Sequence, residues 1–382
     1  EVVVDSLNND TFIQTMVRYN IGCVLPVGIN SFKQCYKLQD FFKVNNVFCP
    51  IADEKSFEVC ISKYQTFQLA ENLHIPVPKT IHLNNENVVN VEKKFDYPCV
   101  LKAEQELGGS IVKYIDKAES VQVSIKKTLQ EFPGMKISDF ILQEFVEGEG
   151  YGFFAVYNNG KCGKIFQHRR LREMPPSGGC SVAAESVYND QLFDYGKRIL
   201  DALDWHGVAM VEFKRTSKGE FVLMEINPKF WGSLDLALEA GVNFPNELIK
   251  LSKNESISFS KDYPIHFKYH WPLHGDILHA MLNPKNLWCI LLDTLNPLCR
   301  SNLWVFDDIK PTHTTTEIVS VSGSGTWTET TVGDGTNNWY AITSSSDGTK
   351  LAAAIYNGYM WRSIDSGATW TQVSYLQLSS ST

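Results

Sequence analysis

Short apolar runs alternate with helix-period stretches over the first eighty residues. Positions 23–27 read as a strand that stops at Gly28, 31–43 as a helix, and 47–50 as a second short strand. Positions 62–73 read as a helix ended by the turn His74-Ile75-Pro76-Val77-Pro78. Strands alternating with helices predict an α/β layer with a parallel sheet. From Tyr97 the period shortens to two. Strands are predicted at 99–102, 111–115 and 140–146, and a hairpin at 151–157 and 161–167 across Asn158-Asn159-Gly160. Leu192, Tyr195, Ile199, Leu200 and Leu203 form a helical stripe over 191–203. This middle part reads as an α+β region rich in antiparallel hairpins.

Two further strands are predicted at 208–214 and 221–227, joined by Ser217-Lys218-Gly219-Glu220. The second is apolar except for Glu225 and Asn227, which alternation puts on one face. The register implied by the turn sets Glu212 opposite Glu225. Two facing carboxylates repel, and burial makes each more costly, unless a cation sits between them. An all-oxygen set of two carboxylates and an amide suits Mg²⁺ or Mn²⁺, which complete their shell with water and nucleotide phosphates. The competing reading is a structural salt-bridge network in which Lys214 or Lys229 neutralises the pair.

From about Thr314 the chain is rich in Thr, Ser and Gly. Gly325-Thr326-Trp327-Thr328 returns as Gly367-Ala368-Thr369-Trp370-Thr371, with the tryptophans 43 positions apart, near the roughly 40–45 residues of a propeller blade. The stretch 363–370, Ser-Ile-Asp-Ser-Gly-Ala-Thr-Trp, resembles the Asp-box (BNR) hairpin of sialidase-type propellers. One such unit cannot close a propeller.

Composition narrows the class. The 382 residues are 43% hydrophobic and 20% charged, with a formal net charge of −8. Without a long basic block, no nucleic-acid partner is expected. The nine cysteines carry no C-x-x-C pair, which fits reduced thiols and a cytoplasmic location. No run reaches the roughly 18 apolar residues of a membrane span, so no membrane partner is expected. The first residues lack a signal-peptide pattern and open on an apolar run, so the chain is expected to begin inside a domain.

Other groups suit a nucleotide. Lys102 ends a strand just before Leu107-Gly108-Gly109-Ser110, and a glycine-rich loop brings backbone N–H groups close to phosphate while a lysine adds charge. The strand 140–146, followed by Glu147-Gly148-Glu149, offers an edge for a base and a carboxylate for ribose hydroxyls. His168-Arg169-Arg170-Leu171-Arg172 is either a solvated charge run or an anion-binding cluster. Tyr269-His270-Trp271 and residues 304–308 are read chiefly as core packing, with an acceptor pocket as the alternative.

Taken in order, these motifs resemble the ATP-grasp superfamily from about Ile21 to Leu251, and the Glu225-Ile226-Asn227-Pro228 motif with Phe230-Trp231-Gly232-Ser233 is similar to the carboxylate–amine ligases related to carbamoyl-phosphate synthase. The resemblance implies an α/β and α+β fold class. It divides the chain into an N-terminally truncated pre-ATP-grasp α/β layer (1–80), an ATP-grasp fold (81–252), a C-terminal extension packed on it (253–313) and a short all-β tail (314–382). It also implies roles. Lys63 and Lys102, with the Gly108, Gly109 and Ser110 loop, would contact ATP phosphates; Gln143, Glu144, Val146 and Glu149 would hold adenine and ribose. Glu212, Glu225 and Asn227 would bind Mg²⁺ or Mn²⁺, and Arg170 or Arg172 would take the γ-phosphate or the substrate carboxylate. Lys229 stands where the family usually has arginine, which alters how a phosphate or carboxylate there would be gripped. The implied activity activates a small-molecule carboxylate as an acylphosphate for an amine or other nucleophile. The competing functions are a nucleotide-binding module without turnover, its tail contacting carbohydrate or protein, and an extracellular propeller protein. Oligomeric state is not indicated.

Overall fold

The computed structural model describes residues 12–14, 16, 17, 20–105, 111–176, 178–296 and 298–301, together with the backbone of the tail strands between 317 and 377 and of Thr369. Two compact units result, Met16–Asn302 and a second made of Glu1–Thr15 with Leu303–Thr382.

In the first unit the lead-in helices are Ile29–Lys37, Gln39–Val44, Glu54–Ile61 and Lys63–Asn72. The parallel sheet expected there reduces, among the described residues, to one parallel bridge between Cys23 and Phe48, held by Val24 N–H to Phe48 O at 2.8 Å and Phe48 N–H to Gly22 O at 2.9 Å. The predicted helix at 62–73 forms because Ser62 caps it: its Oγ accepts from the Gln65 N–H at 3.1 Å.

Next comes a four-stranded antiparallel sheet of β1 (Thr80–His82), β2 (Cys99–Ala103), β3 (Val112–Ile115) and β4 (Phe140–Glu144), in the order β1-β4-β2-β3. Its apolar face packs Leu101, Ile115, Phe140 and Leu142 against Val121 and Ile125 of the helix Val121–Glu131.

The larger sheet holds β5 (Glu149–Asn158), β6 (Lys161–Met174), β7 (Cys180–Ser186), β8 (Gly207–Arg215), β9 (Phe221–Asn227), β10 (Lys268–His270) and β11 (Cys299–Ser301), in the order β11-β10-β7-β6-β5-β8-β9. Asn159 and Gly160 turn β5 into β6 with φ of 47° and 71°, a tight turn that needs two left-handed residues. Both faces are covered. Phe153, Ala155, Ala209, Val211 and Leu223 pack with Leu192, Ile199 and Leu200 of the helix Asp190–Ala202. Phe154, Val208, Met210, Tyr269 and Trp271 pack with Leu236, Phe244 and Leu248 of the helices Leu234–Glu239 and Phe244–Ser252. Tyr269 and Trp271 are thus core residues, as read from sequence, while residues 304–308 lie outside the described residues.

In the second unit, β12 (Glu317–Val321) pairs with β13 (Trp327–Thr331), and β14 (Trp339–Ser344), β15 (Leu351–Ile355), β16 (Tyr359–Ser363) and β17 (Thr371–Gln377) form an antiparallel meander. The tail is all-β. Residues 364–368 and 370 of the Asp-box stretch lie outside the described residues. No helix among the described residues is long and apolar enough to cross a membrane.

Candidate active site

The register between β8 and β9 sets Glu212 directly opposite Glu225 and Met210 opposite Asn227. The sequence reaches this pairing by a different route from the one expected. Arg215 pairs with Phe221 across a five-residue turn, in which the Thr216 N–H donates to Glu220 O and the Gly219 N–H donates to Thr216 O. A register shift between Glu212 and Phe213 then inserts Met224 as an extra residue in β9. A bulge re-aims the side chains beyond it, so turn and bulge together deliver Glu225 and Asn227 to the Glu212 face. The Asn227 amide donates to Glu225 Oε1 at 3.0 Å.

The closest ion pair described for the two carboxylates is made by an arginine, which the sequence reading of Lys214 or Lys229 as neutralising groups did not weigh. Arg170 Nη2 donates to Glu212 Oε2 at 2.5 Å, and its Nη1 serves Glu173 Oε1 at 3.1 Å and the Gly179 carbonyl at 3.0 Å. Burial raises the Glu212 carboxyl, and the Arg170 charge does not offset burial together with the Glu225 charge. Burial also opposes ionisation of Glu225, yet Lys63, the Asn227 amide and Lys102 hold it below the usual carboxylate range.

Lys102 reaches the pair from β2. Its Nζ donates at 2.9 Å to Gln143 Oε1 on the neighbouring β4, and the Gln143 amide donates to Thr80 Oγ1 at 3.0 Å. Gln143 is fully buried and orients the lysine. Burial lowers the Lys102 ammonium to about 8 against the pull of Glu225. Lys63 arrives from the first turn of its helix. That helix start is fastened to β2 by the buried Glu104, which accepts from the Ser62 hydroxyl and, at 3.4 Å, from the Tyr64 N–H.

The remaining candidates are spread around this centre. Glu144 is exposed and accepts from the Lys79 N–H at 3.1 Å. The Val146 carbonyl accepts from Lys214 Nζ at 3.0 Å. Glu149 faces Arg169, 3.6 Å away, and the Tyr151 hydroxyl at 3.4 Å. Lys229 follows β9 in the loop and is half-buried. Gly108, Gly109 and Ser110 lie outside the described residues.

Arg172 is not brought to the acidic pair. Register shifts between β6 and β7 on either side of it break the strand's alternation. Its Nε and Nη2 grip Asp276 Oδ1 and Oδ2 at 2.7 and 2.8 Å, and its Nη1 meets Asp293 Oδ2 at 2.7 Å. The His168–Arg172 run is therefore no solvated face: it forms part of β6, His168 is fully buried, and each arginine has a carboxylate partner.

Three contributors were not singled out from sequence: Glu173, Glu104 and Gly150. Gly150 had a signal. Gly148, Gly150 and Gly152 recur every second residue, which strips one strand face bare.

Two sheets, with Lys102 of the smaller one and Lys63 of a flanking helix acting on paired carboxylates of the larger, match known folds. A biotin carboxylase domain of 2-oxoglutarate carboxylase from Hydrogenobacter thermophilus, solved with MgADP, ADP and bicarbonate, superposes with a TM-score of 0.57 at 13% identity, over 70% of this chain and 62% of that one. N5-carboxyaminoimidazole ribonucleotide synthetase from Thermus thermophilus gives 0.54 at 16% identity, over 70% of each chain. Residues 136–270 match the family model described as ATP-grasp in the biosynthetic pathway with Ter operon. The chain has an ATP-grasp fold. D-aspartate ligase of Enterococcus faecium is 26% identical over 221 residues, covering 52% of this chain and 49% of that protein. The chain thus spans about half the length of this relative. In the ATP-grasp fold seen here, the family match covers β4–β10 with Arg170, Glu212, Glu225 and Asn227, whereas Lys63 and Lys102 precede it.

Proposed function

We propose that this chain is an ATP- and Mg²⁺-dependent ligase acting on a small-molecule carboxylate and an amine or other nucleophile. The observation that carries this reading is the convergence of Lys63, Lys102 and Arg170 on the half-buried Glu212–Glu225 pair. The donor set fits a magnesium–nucleotide complex. Glu212 and Glu225 oppose each other, and the Asn227 amide oxygen beside them is an additional hard ligand. Among the described residues no cluster of three His, Cys, Asp or Glu side chains is placed for a metal, so water and phosphate oxygens would complete the shell, as Mg²⁺ prefers.

Glu212, Glu225 and Asn227 would hold the ion, which when bound would offset charge on the transferred phosphoryl group. Lys63 and Lys102 would hold the phosphates, and Val146 and Glu144 the base, with Glu149 toward the ribose. Arg170 would exchange part of its hold on Glu212 for the γ-phosphate or the substrate carboxylate. A carboxylate oxygen would attack the γ-phosphorus, releasing ADP. The nucleophile's lone pair would then attack the acyl carbon of the resulting acylphosphate, expelling phosphate and losing its proton to solvent. Preorganised cations around the transferred group are the main source of rate in such chemistry.

The test is phosphate release from ATP across a panel of amino acids and small carboxylic acids, D-aspartate among them because the Enterococcus relative is a D-aspartate ligase. Carboxylate labelled with ¹⁸O should pass one labelled oxygen into the released phosphate. Turnover without label transfer would contradict the acylphosphate, and ATP binding without turnover on any member would favour a non-catalytic nucleotide module.

A further inference from the structure

We propose that Lys214 is a positioning residue for the nucleotide base, acting through the carbonyl of Val146; the inference rests on the nucleotide reading above. Lys214 lies on β8 two residues beyond Glu212 and pairs with Gly150 of β5. It would be expected to turn toward the acidic pair. Its Nζ donates to the Val146 carbonyl at 3.0 Å and stands 5.2 Å from the centre of the Phe145 ring, while the Glu173 and Glu212 carboxylates still act on its charge. Tyr114 of β3 meets the same ring edge-on at 5.8 Å.

The segment so held is the link between the two sheets. β4 ends at Glu144 in the smaller sheet, and β5 begins at Glu149 in the larger. Residues 145–148 belong to no strand, so neighbouring strands do not fix their peptide planes. Two contacts with β8 do so. A Cβ on Gly148 would lie 2.4 Å from the Arg215 carbonyl oxygen, so the link passes directly over that residue. One residue earlier on β8, Lys214 takes the Val146 carbonyl. With that carbonyl engaged, the peptide plane between Val146 and Glu147 is held, which narrows the directions open to the Val146 N–H, a group with no partner among the described residues. A backbone N–H so directed suits a ring nitrogen of a purine. A lysine cation facing a carbonyl and an aromatic ring satisfies both.

The experiment measures, with Mg²⁺ present, dissociation constants for ATP and for inorganic tripolyphosphate, which carries the phosphates without the base. Lys214→Met should weaken ATP roughly tenfold or more, the scale of a charged hydrogen bond, and leave tripolyphosphate within about twofold. Lys214→Arg should restore most of the ATP affinity. Gly148→Ala, which displaces the link without touching the lysine, should reproduce the selective loss and keeps the question open to test should Lys214→Met fail to fold. Equal weakening of both ligands would overturn the proposal by placing Lys214 at the phosphates, and unchanged ATP affinity would overturn it outright. Failure of the wild-type chain to bind ATP would remove the nucleotide site and this inference with it, an outcome distinct from a defect confined to the variants.

Discussion

Arg170 crosses Gly150 to reach Glu212. The arginine is on β6 and the glutamate on β8, with β5 between them. A Cβ on Gly150 would stand 2.7 Å from Arg170 Cδ and 2.7 Å from Glu173 Oε1. The bare backbone is what lets the guanidinium lie across the strand and meet a carboxylate two strands away.

Gly150→Ala should therefore uncouple Arg170 from Glu212. Overpacking of this kind costs about 1–3 kcal/mol, visible as a lower melting temperature. ATP turnover should fall further than that loss of stability explains, because the remaining folded protein holds the arginine in the wrong place. Turnover compared at a temperature where both proteins are fully folded separates the two effects.

Removing the arginine leaves two half-buried carboxylates facing each other. Arg170→Met should cost about 3–5 kcal/mol, the usual penalty for breaking one side of a buried ion pair. Mg²⁺ should then raise the melting temperature of the variant more than that of the wild type, because a metal bound only to the folded state stabilises it by mass action. A magnesium titration followed by calorimetry checks this.

Arg172 should behave differently. Asp276 is fully buried and takes both of its arginine bonds from this residue. Arg172→Met should destabilise the fold by about 3–5 kcal/mol. At low temperature, where the variant stays folded, ATP affinity should stay within about twofold of wild type, well inside the factor of ten that 1.4 kcal/mol represents.

With the Lys102 ammonium lowered by burial to about 8, the proposed phosphate role predicts that nucleotide affinity should fall as pH rises through that value. Its effect on stability has the opposite sign. Between about 8 and the ordinary 10.5 the unfolded chain holds the proton and the folded chain does not, so this residue's contribution to folding becomes more favourable with pH. Replacing Lys102 by methionine should flatten both profiles across that window, read from ATP titrations and melts between pH 7 and 10.

The contrast between Arg170 and Arg172 shows what the sequence could carry. Alternation put Glu225 and Asn227 on one face, the expected four-residue turn and the unseen bulge at Met224 cancelled to leave Glu212 opposite Glu225, and the Asn-Gly turn announced itself through local chemistry. Bulges were not legible. An extra residue at Met224 repaired the register that the five-residue turn had shifted, and shifts around Arg172 sent that side chain to Asp276 and Asp293. A bulge is set by pairing with a distant strand, so nothing in the local pattern reports it. The charge run at 168–172 stayed open between a solvated face and an anion site for the same reason: its partners Glu185, Glu212, Asp276 and Asp293 come from other elements. The lead-in sheet was over-read, since alternating apolar runs do not reveal how few residues pair.

The measurement that tests the central claim most directly is calorimetric titration of ATP into the wild-type chain and into Glu225→Gln, each in Mg²⁺ and in EDTA. The account predicts binding that requires Mg²⁺ in the wild type and is weakened by roughly tenfold or more in the variant, as expected for loss of a charged ligand to the metal. Absence of ATP binding, or binding indifferent to both EDTA and the substitution, would contradict a magnesium–nucleotide site at Glu212 and Glu225 and leave the pair a structural ion network.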